Sequence, residues 1–375
     1  MLVADLGCKV RRRLAAGALV ACLGASAPAM AEAADRGAGK MPAGTAEAAL
    51  CWRPEDLRFR PGEQVIGSTR FWTRAPDRRP VAASAEPVRK GLAIRRVDLP
   101  PGVKLVALTF DLCEQPREIA GYQGATIDFL RENNIRATFF AGGKWMLTHR
   151  NRAEQLMSDP LFEVGNHTWE HRNLRLLSGK ALEREIGDAQ VSYEKVREEL
   201  QSRQCLARDG QGLAHERAPG RMALFRFPFG ACNDASLNAV ADMGLAAIQW
   251  DVSSGDPWPG QRPELMVKAV LSHVRPGSIV LFHANGRGWH TSEALPSIVG
   301  ELRKRGYGFV TVSELLALGK PVAEPRCYDS RPGDTDRYDG LARRLEESNR
   351  RAERTLSAIS AEDAAPTPTS KPKRR

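Results

Sequence analysis

No stretch of this chain approaches eighteen consecutive apolar residues, so none reads as a membrane span. No two cysteines form a C-x-x-C pair, which argues against a structural zinc ribbon. Histidine is scarce, with seven in 375 residues, so any close pairing of two is notable. The net charge of +10 implies less than it suggests, because it is concentrated at the ends. Lys9, Arg11, Arg12 and Arg13 open the chain, and Lys371, Lys373, Arg374 and Arg375 close it. Between them no basic stripe alternates with aromatic residues, so nucleic acid is not expected as a partner. A solvated basic surface accounts for the remainder, with attraction to anionic envelope polymer as the other reading.

The basic opening is followed by a short apolar core, Leu14 to Leu23, and by the small-x-small site Ala29-Met30-Ala31. Residues 1–31 therefore read as a secretory signal peptide, and the protein is expected in the periplasm or outside the cell. Leu19-Val20-Ala21-Cys22 resembles a lipoprotein box, which makes a lipid anchor on Cys22 the alternative. Past the signal, Cys51, Cys113, Cys205, Cys232 and Cys327 remain. An oxidising compartment permits disulfides, and an odd count leaves a thiol over. Cys205 and Cys232 flank one loop, and a bridge is expected to close it. Cys51 and Cys327 would tie the two ends together, with Cys113 left free.

Residues 32–98 are rich in Ala, Pro, Gly and Arg and have little periodicity, so they read as an irregular lead-in. From Lys104 onward, strands and helices alternate through a domain spanning 99–322. Strands are expected over 104–110, 136–141, 161–166, 223–228, 246–251, 278–283 and 308–312. Helices are expected over 124–133, 149–158, 178–200, 234–243, 262–274 and 292–305, with Ser178 as an N-cap and Gly244 and Gly306 as stops. Residues 201–222 form a loop insert. The tail, 323–375, carries a charged helix over 337–359 and then a Pro/Thr/Lys-rich end. Such alternation means an α/β fold with a parallel sheet covered on both faces. Seven strands suit a barrel, although periodicity alone leaves a flat doubly wound sheet open.

Chemistry gathers at the ends of these strands. His167-Thr168-Trp169-Glu170-His171 follows the apolar run 161–166 and presents two imidazoles, the commonest metal-ligand type. Leu105 to Phe110 delivers Asp111, Phe225 delivers Arg226, and Ile279 to Phe282 delivers His283. Strand C-termini are where parallel α/β folds place their sites. Taken singly, each residue has a bland account: Asp111 as a helix cap, Arg226 in a surface ion pair, His283 as a satisfied core histidine, and the histidine pair on a solvated turn.

Together the motifs resemble the NodB-type polysaccharide deacetylases, carbohydrate esterase family 4. The set is T-F-D at 109–111, H-T-x-x-H at 167–171, R-x-P-F at 226–229, D-P-W at 256–258 and L-x-H at 281–283. The match runs over roughly residues 100–318. It implies a distorted (β/α)7 barrel and a secreted, metal-dependent hydrolase. Its expected substrate is an N-acetylglucosamine oligomer or polymer, such as chitooligosaccharide or peptidoglycan. By the same resemblance His167 and His171 hold a divalent metal, Asp111 is the general base and Arg226 orients it. His283 is the general acid, and Asp256 raises its pKa by favouring imidazolium.

The chain departs from the pattern at one point. The family carries two successive aspartates, the second a metal ligand, whereas Leu112 follows Asp111 here. Asp111 is then expected to complete the metal shell with water, with Glu114 as a further candidate carboxylate; Cys113 reads as a buried structural thiol. Two histidines and a carboxylate suit zinc, although cobalt, nickel or manganese would tolerate similar ligands. Trp258, Trp289, Phe229 and Trp169 are candidates to line a sugar site, and His290 a rim residue. The competing functions are a carbohydrate-binding envelope protein that has lost the third ligand, and an O-acetyl esterase or small-molecule amidohydrolase.

Overall fold

The computed structural model describes residues 51–83, 88–203 and 218–363. The signal reading over 1–31, Cys22, Cys205, most of the 201–222 insert and the end of the tail lie outside the described residues. The ten strands that matter are β1 (Ala93–Asp98), β2 (Leu105–Leu112), β3 (Ala137–Ala141), β4 (Phe162–Asn166) and β5 (Leu224–Phe225), then β6 (Ala246–Ala247), β7 (Val252–Ser253), β8 (Ile279–His283), β9 (Gly308–Phe309) and β10 (Lys320–Glu324). The helices between and after them are α1 (Gly124–Glu132), α2 (Gly143–Thr148), α3 (Arg150–Ser158), α4 (Gly179–Gln201), α5 (Asp234–Asp242), α6 (Pro263–His273), α7 (Thr291–Lys304), α8 (Val312–Ala317) and α9 (Arg337–Asp363).

All strands of the main sheet run parallel, in the order β6-β5-β4-β3-β2-β8-β7, with β9 pairing the early part of β2. β2 is the centre. Its sequence, Leu-Val-Ala-Leu-Thr-Phe-Asp-Leu, is buried on both faces after its first residue. That is the pattern of a strand with helices outside and packed side chains inside. Phe110 stacks between Phe139 of β3 and Phe282 of β8, with ring centroids 5.3 and 5.4 Å away. This is the curled (β/α)7 sheet that the resemblance implies.

The expected strand over 246–251 is interrupted. Only Ala246–Ala247 pairs, as β6; pairing resumes beyond the expected end as β7, and between them the backbone turns to β1. Ile94 bridges Ile248, the Gln249 N–H donates to the Ile94 carbonyl at 2.7 Å, and Arg96 bridges Ser278 on the other side. β1 thus fills the seam that β6 and β7 leave between them, and its outer edge is covered by antiparallel β10. The approach is close. A Cβ on Gly277 would sit 1.7 Å from the Val97 carbonyl oxygen, so only glycine fits there. The lead-in therefore ends in a strand that belongs to the barrel wall, a feature absent from the sequence reading because Ala-Ile-Arg-Arg-Val-Asp carries little apolar pattern.

Helix placement follows the 3.6-residue pattern closely, with Gly244 and Gly306 directly beyond α5 and α7 as expected. Ser178 stands at the N-cap of α4 but makes no capping bond. The helix α2 was not foreseen: Gly-Lys-Trp-Met-Leu-Thr is too short for periodicity to register. The charged tail helix is present as α9. None of the described helices is long and apolar enough to cross a membrane.

The disulfide pairing differs from expectation. Cys232 bonds to Cys327, so neither the Cys205–Cys232 nor the Cys51–Cys327 bridge exists; Cys51 is itself disulfide-bonded. The physical reason is the return of the chain after β10. Residues 325–336 come back beside the loop after β5, and Trp250 Nε1–H donates to the Asp329 carbonyl at 2.9 Å. Cys113 is free and buried, as read. Non-reducing peptide mapping should recover Cys232 linked to Cys327. Because that bridge closes a separation of 95 residues, Cys232→Ala should cost about 2–5 kcal/mol in chemical denaturation. A linked Cys205–Cys232 peptide would refute the assignment.

Candidate active site

Register brings the strand-end residues to one level. His283 pairs directly with Asp111 across β8 and β2, and Asn166 pairs with Phe225 across β4 and β5. His167 and Arg226, each one residue further on, are therefore neighbours at the same edge. Strand alternation does the rest. Thr109 and Asp111 share a face and both meet Arg226, while Phe110 and Leu112 join the apolar core.

Arg226 is fully buried. Its Nη1 donates to Asp111 Oδ1 at 2.9 Å and to Thr109 Oγ1 at 2.8 Å. Its other nitrogens reach the Ile248 and Gln249 carbonyls at 3.4 and 3.3 Å, and its plane lies over the Phe140 ring at 4.0 Å. Burial lowers its pKa and the Asp111 charge opposes this, but a guanidinium remains a cation throughout the working range. Asp111 thus has one oxygen committed to Arg226 and the other, Oδ2, facing His167 Nε2 at 3.4 Å.

The histidines come from a loop rather than a helical turn. Thr168 and His171 both adopt positive φ, 67° and 60°, at a cost of about 1–3 kcal/mol each. Local bonds hold this shape. The Thr168 N–H donates to Asn166 Oδ1 at 2.9 Å, and the His171 N–H donates to Thr168 Oγ1 at 3.0 Å. From α4, the Glu185 backbone carbonyl accepts from Trp169 N–H at 2.7 Å. His167 Nδ1 lies 3.0 Å from the Arg226 carbonyl, which can only accept, so this nitrogen carries the proton and Nε2 is a bare lone pair. Burial lowers the pKa of both imidazoles, His171 well below its ordinary value, so both are neutral.

His167 Nε2 and His171 Nδ1 are buried without a hydrogen-bond partner. A buried lone pair with no donor is costly unless something fills the gap. The Cys113 sulfur and one nitrogen from each ring lie within 4.8 Å of one another, and a divalent cation fits that donor set. This group differs from the expected shell of His167, His171 and Asp111 in its third member, and Asp111 Oδ2 lies 3.4 Å from His167 Nε2. Among the described residues the group that closes up contains Cys113, and neither Asp111 nor Glu114 belongs to it. Glu114 is occupied elsewhere: its Oε2 accepts from Ala120 N–H at 3.0 Å and Thr148 Oγ1 at 2.9 Å, with Lys144 Nζ 3.5 Å from Oε1. Burial pushes the Cys113 thiol up to about 12, so without a cation it is protonated.

Opposite stands a second pair. Asp256 Oδ1 lies 2.8 Å from His283 Nδ1, while Oδ2 accepts from the His283 backbone N–H at 2.6 Å and from Thr291 Oγ1 at 2.7 Å. Burial lowers the His283 pKa, but the charge and hydrogen bond of Asp256 outweigh it, and the net shift is upward. With Nδ1 facing Asp256, Nε2 is the free nitrogen, and 12 % of the side chain stays exposed to a ligand.

The aromatic candidates separate. Phe229 is on the site, its ring 4.6 Å from His171 and 6.4 Å from Tyr338. Trp258 and Trp289 are exposed, in the loops that follow Asp256 and His283, and Trp289 N–H donates to the Asp256 carbonyl at 3.4 Å. Trp169 is buried beneath α2, where its ring packs against Gly143, so it is a core residue and not a sugar platform. His290 pairs with Glu293 at 3.2 Å at the start of α7. Thr291, Asn285 and Tyr338 escaped the sequence reading, because none belongs to a residue type or spacing that marks chemistry.

Residues 98–248 match the family model "Polysaccharide deacetylase". A peptidoglycan-N-acetylglucosamine deacetylase of Bacillus cereus is 32% identical over 223 residues, 58% of this chain and 91% of that protein. A chitooligosaccharide deacetylase of Azorhizobium caulinodans is 30% identical over 195 residues, 49% of this chain and 82% of that protein. A solved structure of the Bacillus subtilis peptidoglycan deacetylase PdaC is 28% identical and covers 59% of this chain and 93% of that one, at a TM-score of 0.45.

The Arg226–Asp111 pair generates a stability prediction. Arg226→Met leaves a buried carboxylate uncompensated and should destabilise the fold by about 3–5 kcal/mol in urea titration. The double variant Arg226→Met, Asp111→Leu should recover part of that loss. If the single variant is as stable as wild type, the pair is not the buried cross-link described.

Proposed function

We propose that this chain, which belongs to the polysaccharide deacetylase family, is an exported, metal-dependent hydrolase that removes acetyl groups from N-acetylglucosamine oligomers or polymers, chitooligosaccharide or peptidoglycan. One observation carries the reading. Two unpartnered imidazole nitrogens lie beside an arginine-held carboxylate, across from a histidine whose pKa is raised by its own aspartate. A binding protein needs no such acid and base. The substrate class is taken from the two relatives, and export from the basic n-region and the Ala29-Met30-Ala31 site.

An N-acetyl amide resists hydrolysis because its carbonyl is a poor electrophile and its amine a poor leaving group. His167 and His171 would hold a divalent cation, zinc by ligand type, which when bound would supply Lewis acidity to the carbonyl and to the attacking water. Asp111 takes the proton from the attacking water on Oδ2, since Oδ1 accepts from Arg226. His283 delivers a proton from Nε2 to the departing amine, and Asp256 stabilises the imidazolium until it does so. Phe229 supplies an apolar wall next to the histidines, and Trp258 and Trp289 offer exposed rings at the rim for neighbouring sugars.

Free acetate and free amine should appear together when the protein meets N-acetylglucosamine oligomers, and both should vanish with chelator. Acetate without amine would indicate an ester substrate, and binding without acetate a lost activity. His283→Ala should lower kcat by about 10²–10⁴ while metal content stays at wild type. Loss of metal would instead make His283 a ligand.

The pH dependence has a defined sign. His283 must be protonated to donate, so activity is retained below its raised pKa and lost as pH rises through it. Asp256→Asn removes the charge that raises it, so the alkaline limb should move to lower pH. An unmoved limb would remove His283 from the role of acid. Envelope material should begin at or near Glu32 on N-terminal sequencing, and lipid on Cys22 would convert secretion into anchoring.

A further inference from the structure

We infer that the third protein ligand of the metal is the Cys113 sulfur, so that the cation sits on a Cys-His-His set while Asp111 stays outside the shell as base. The inference rests on the metal-dependent reading above and deepens it. Two independent observations support it: the Cys113, His167 and His171 donor atoms lie within 4.8 Å of one another, and both imidazoles carry buried nitrogens with no partner.

The backbone explains how a cysteine arrives there. Leu112 ends β2 with its side chain in the apolar core, on the opposite face from Asp111. The next residue returns to the site face, and the Cys113 sulfur comes within 4.8 Å of a nitrogen of each histidine ring. Asn285 then fixes the sulfur. Its Nδ2 donates to the Cys113 carbonyl at 2.7 Å and to Cys113 Sγ at 2.9 Å, so the sulfur already acts as an acceptor. Asn285 is a positioning residue, holding β2 to the loop after β8. The arrangement also settles a competition. Asp111 Oδ1 is taken by Arg226, and a ligand role for Oδ2 would leave no oxygen for the proton of the attacking water.

Binding exchanges an S–H bond for a sulfur–metal bond, and the proton leaves to solvent, so uptake of one cation releases one proton from Cys113. A thiolate with two imidazoles favours zinc or cobalt over the harder magnesium, calcium or manganese ions. This preference differs in kind from that of an all-carboxylate and imidazole shell.

The test uses the full exported chain, stripped of metal and reloaded with cobalt(II). Wild type should show a sulfur-to-cobalt charge-transfer band in the near ultraviolet and release a proton on loading. Cys113→Ser should lose the band and bind cobalt with a Kd higher by roughly a hundredfold or more, since loss of outer-shell partners alone can cost that much. Cobalt bound by wild type without a sulfur band, or a band that survives in Cys113→Ser, overturns the assignment. Should Cys113→Ser fail to fold, the wild-type spectrum alone decides, because a chain that binds cobalt without sulfur has another third ligand. Acetate release measured on the same samples separates the two readings. A sulfur band without acetate sinks the proposed function and keeps the site, whereas metal-dependent acetate release without a sulfur band does the reverse.

Discussion

Arg226 is a cation with no exposed surface, held between the Phe140 and Trp250 rings, and the site depends on what surrounds it. A buried guanidinium is tolerable only if its donors are met, and here they are met by four separate points of the barrel. Thr109 and Asp111 belong to β2, and the Ile248 and Gln249 carbonyls belong to the seam between β6 and β7. The same residue's carbonyl fixes the tautomer of His167. One side chain and its backbone therefore set the position of the Asp111 carboxylate and the proton of the His167 imidazole. Moving it would disturb both at once, and that coupling is why the strand ends must stay in register.

The seam gives the barrel its distortion and its third dimension. Parallel strands β6 and β7 do not pair with each other, and β1 occupies the space between them. Because Ile248 and Gln249 spend their carbonyls on Arg226 while the Gln249 N–H is spent on β1, an ordinary parallel ladder could not form there without starving the guanidinium. The irregular stretch of sheet and the buried cation are two sides of one hydrogen-bond requirement. Nearby, the Cys232–Cys327 bridge and the Asp329 carbonyl bring the chain after β10 back against this wall, and Tyr338 comes to lie against Phe229.

Burial divides labour among the ionisable groups. It lowers the pKa of His167 and His171, which favours the neutral form that suits ligands; the pKa of His283 is raised despite it, because Asp256 supplies a fixed negative charge and a hydrogen bond. Three histidines on one face are thus shifted in two directions. Asp256 can do this because its second oxygen is held by Thr291 and the His283 backbone, so it cannot turn away.

Much of this was legible in residue order. Apolar runs of strand length alternating with 3.6-residue patterns placed six of the helices to within a residue or two, and strand C-termini marked Asp111, His167, Arg226 and His283. Those features are local: each depends on a periodicity or on the end of a run. What local pattern could not supply was any fact decided by partners distant in sequence. The Cys232–Cys327 pairing depends on how the tail folds back, the burial of Trp169 on where α2 packs, and the diversion of Glu114 on Lys144 and Thr148. The approach of the Cys113 sulfur to both histidine rings is of the same kind. The sequence by itself determined which strand ends carry chemistry, because alternation and apolar length are written into neighbouring residues. Only the tertiary structure decided which atoms converge, because convergence is set by register across strands that lie more than a hundred residues apart in the chain, Asp111 opposite His283 among them.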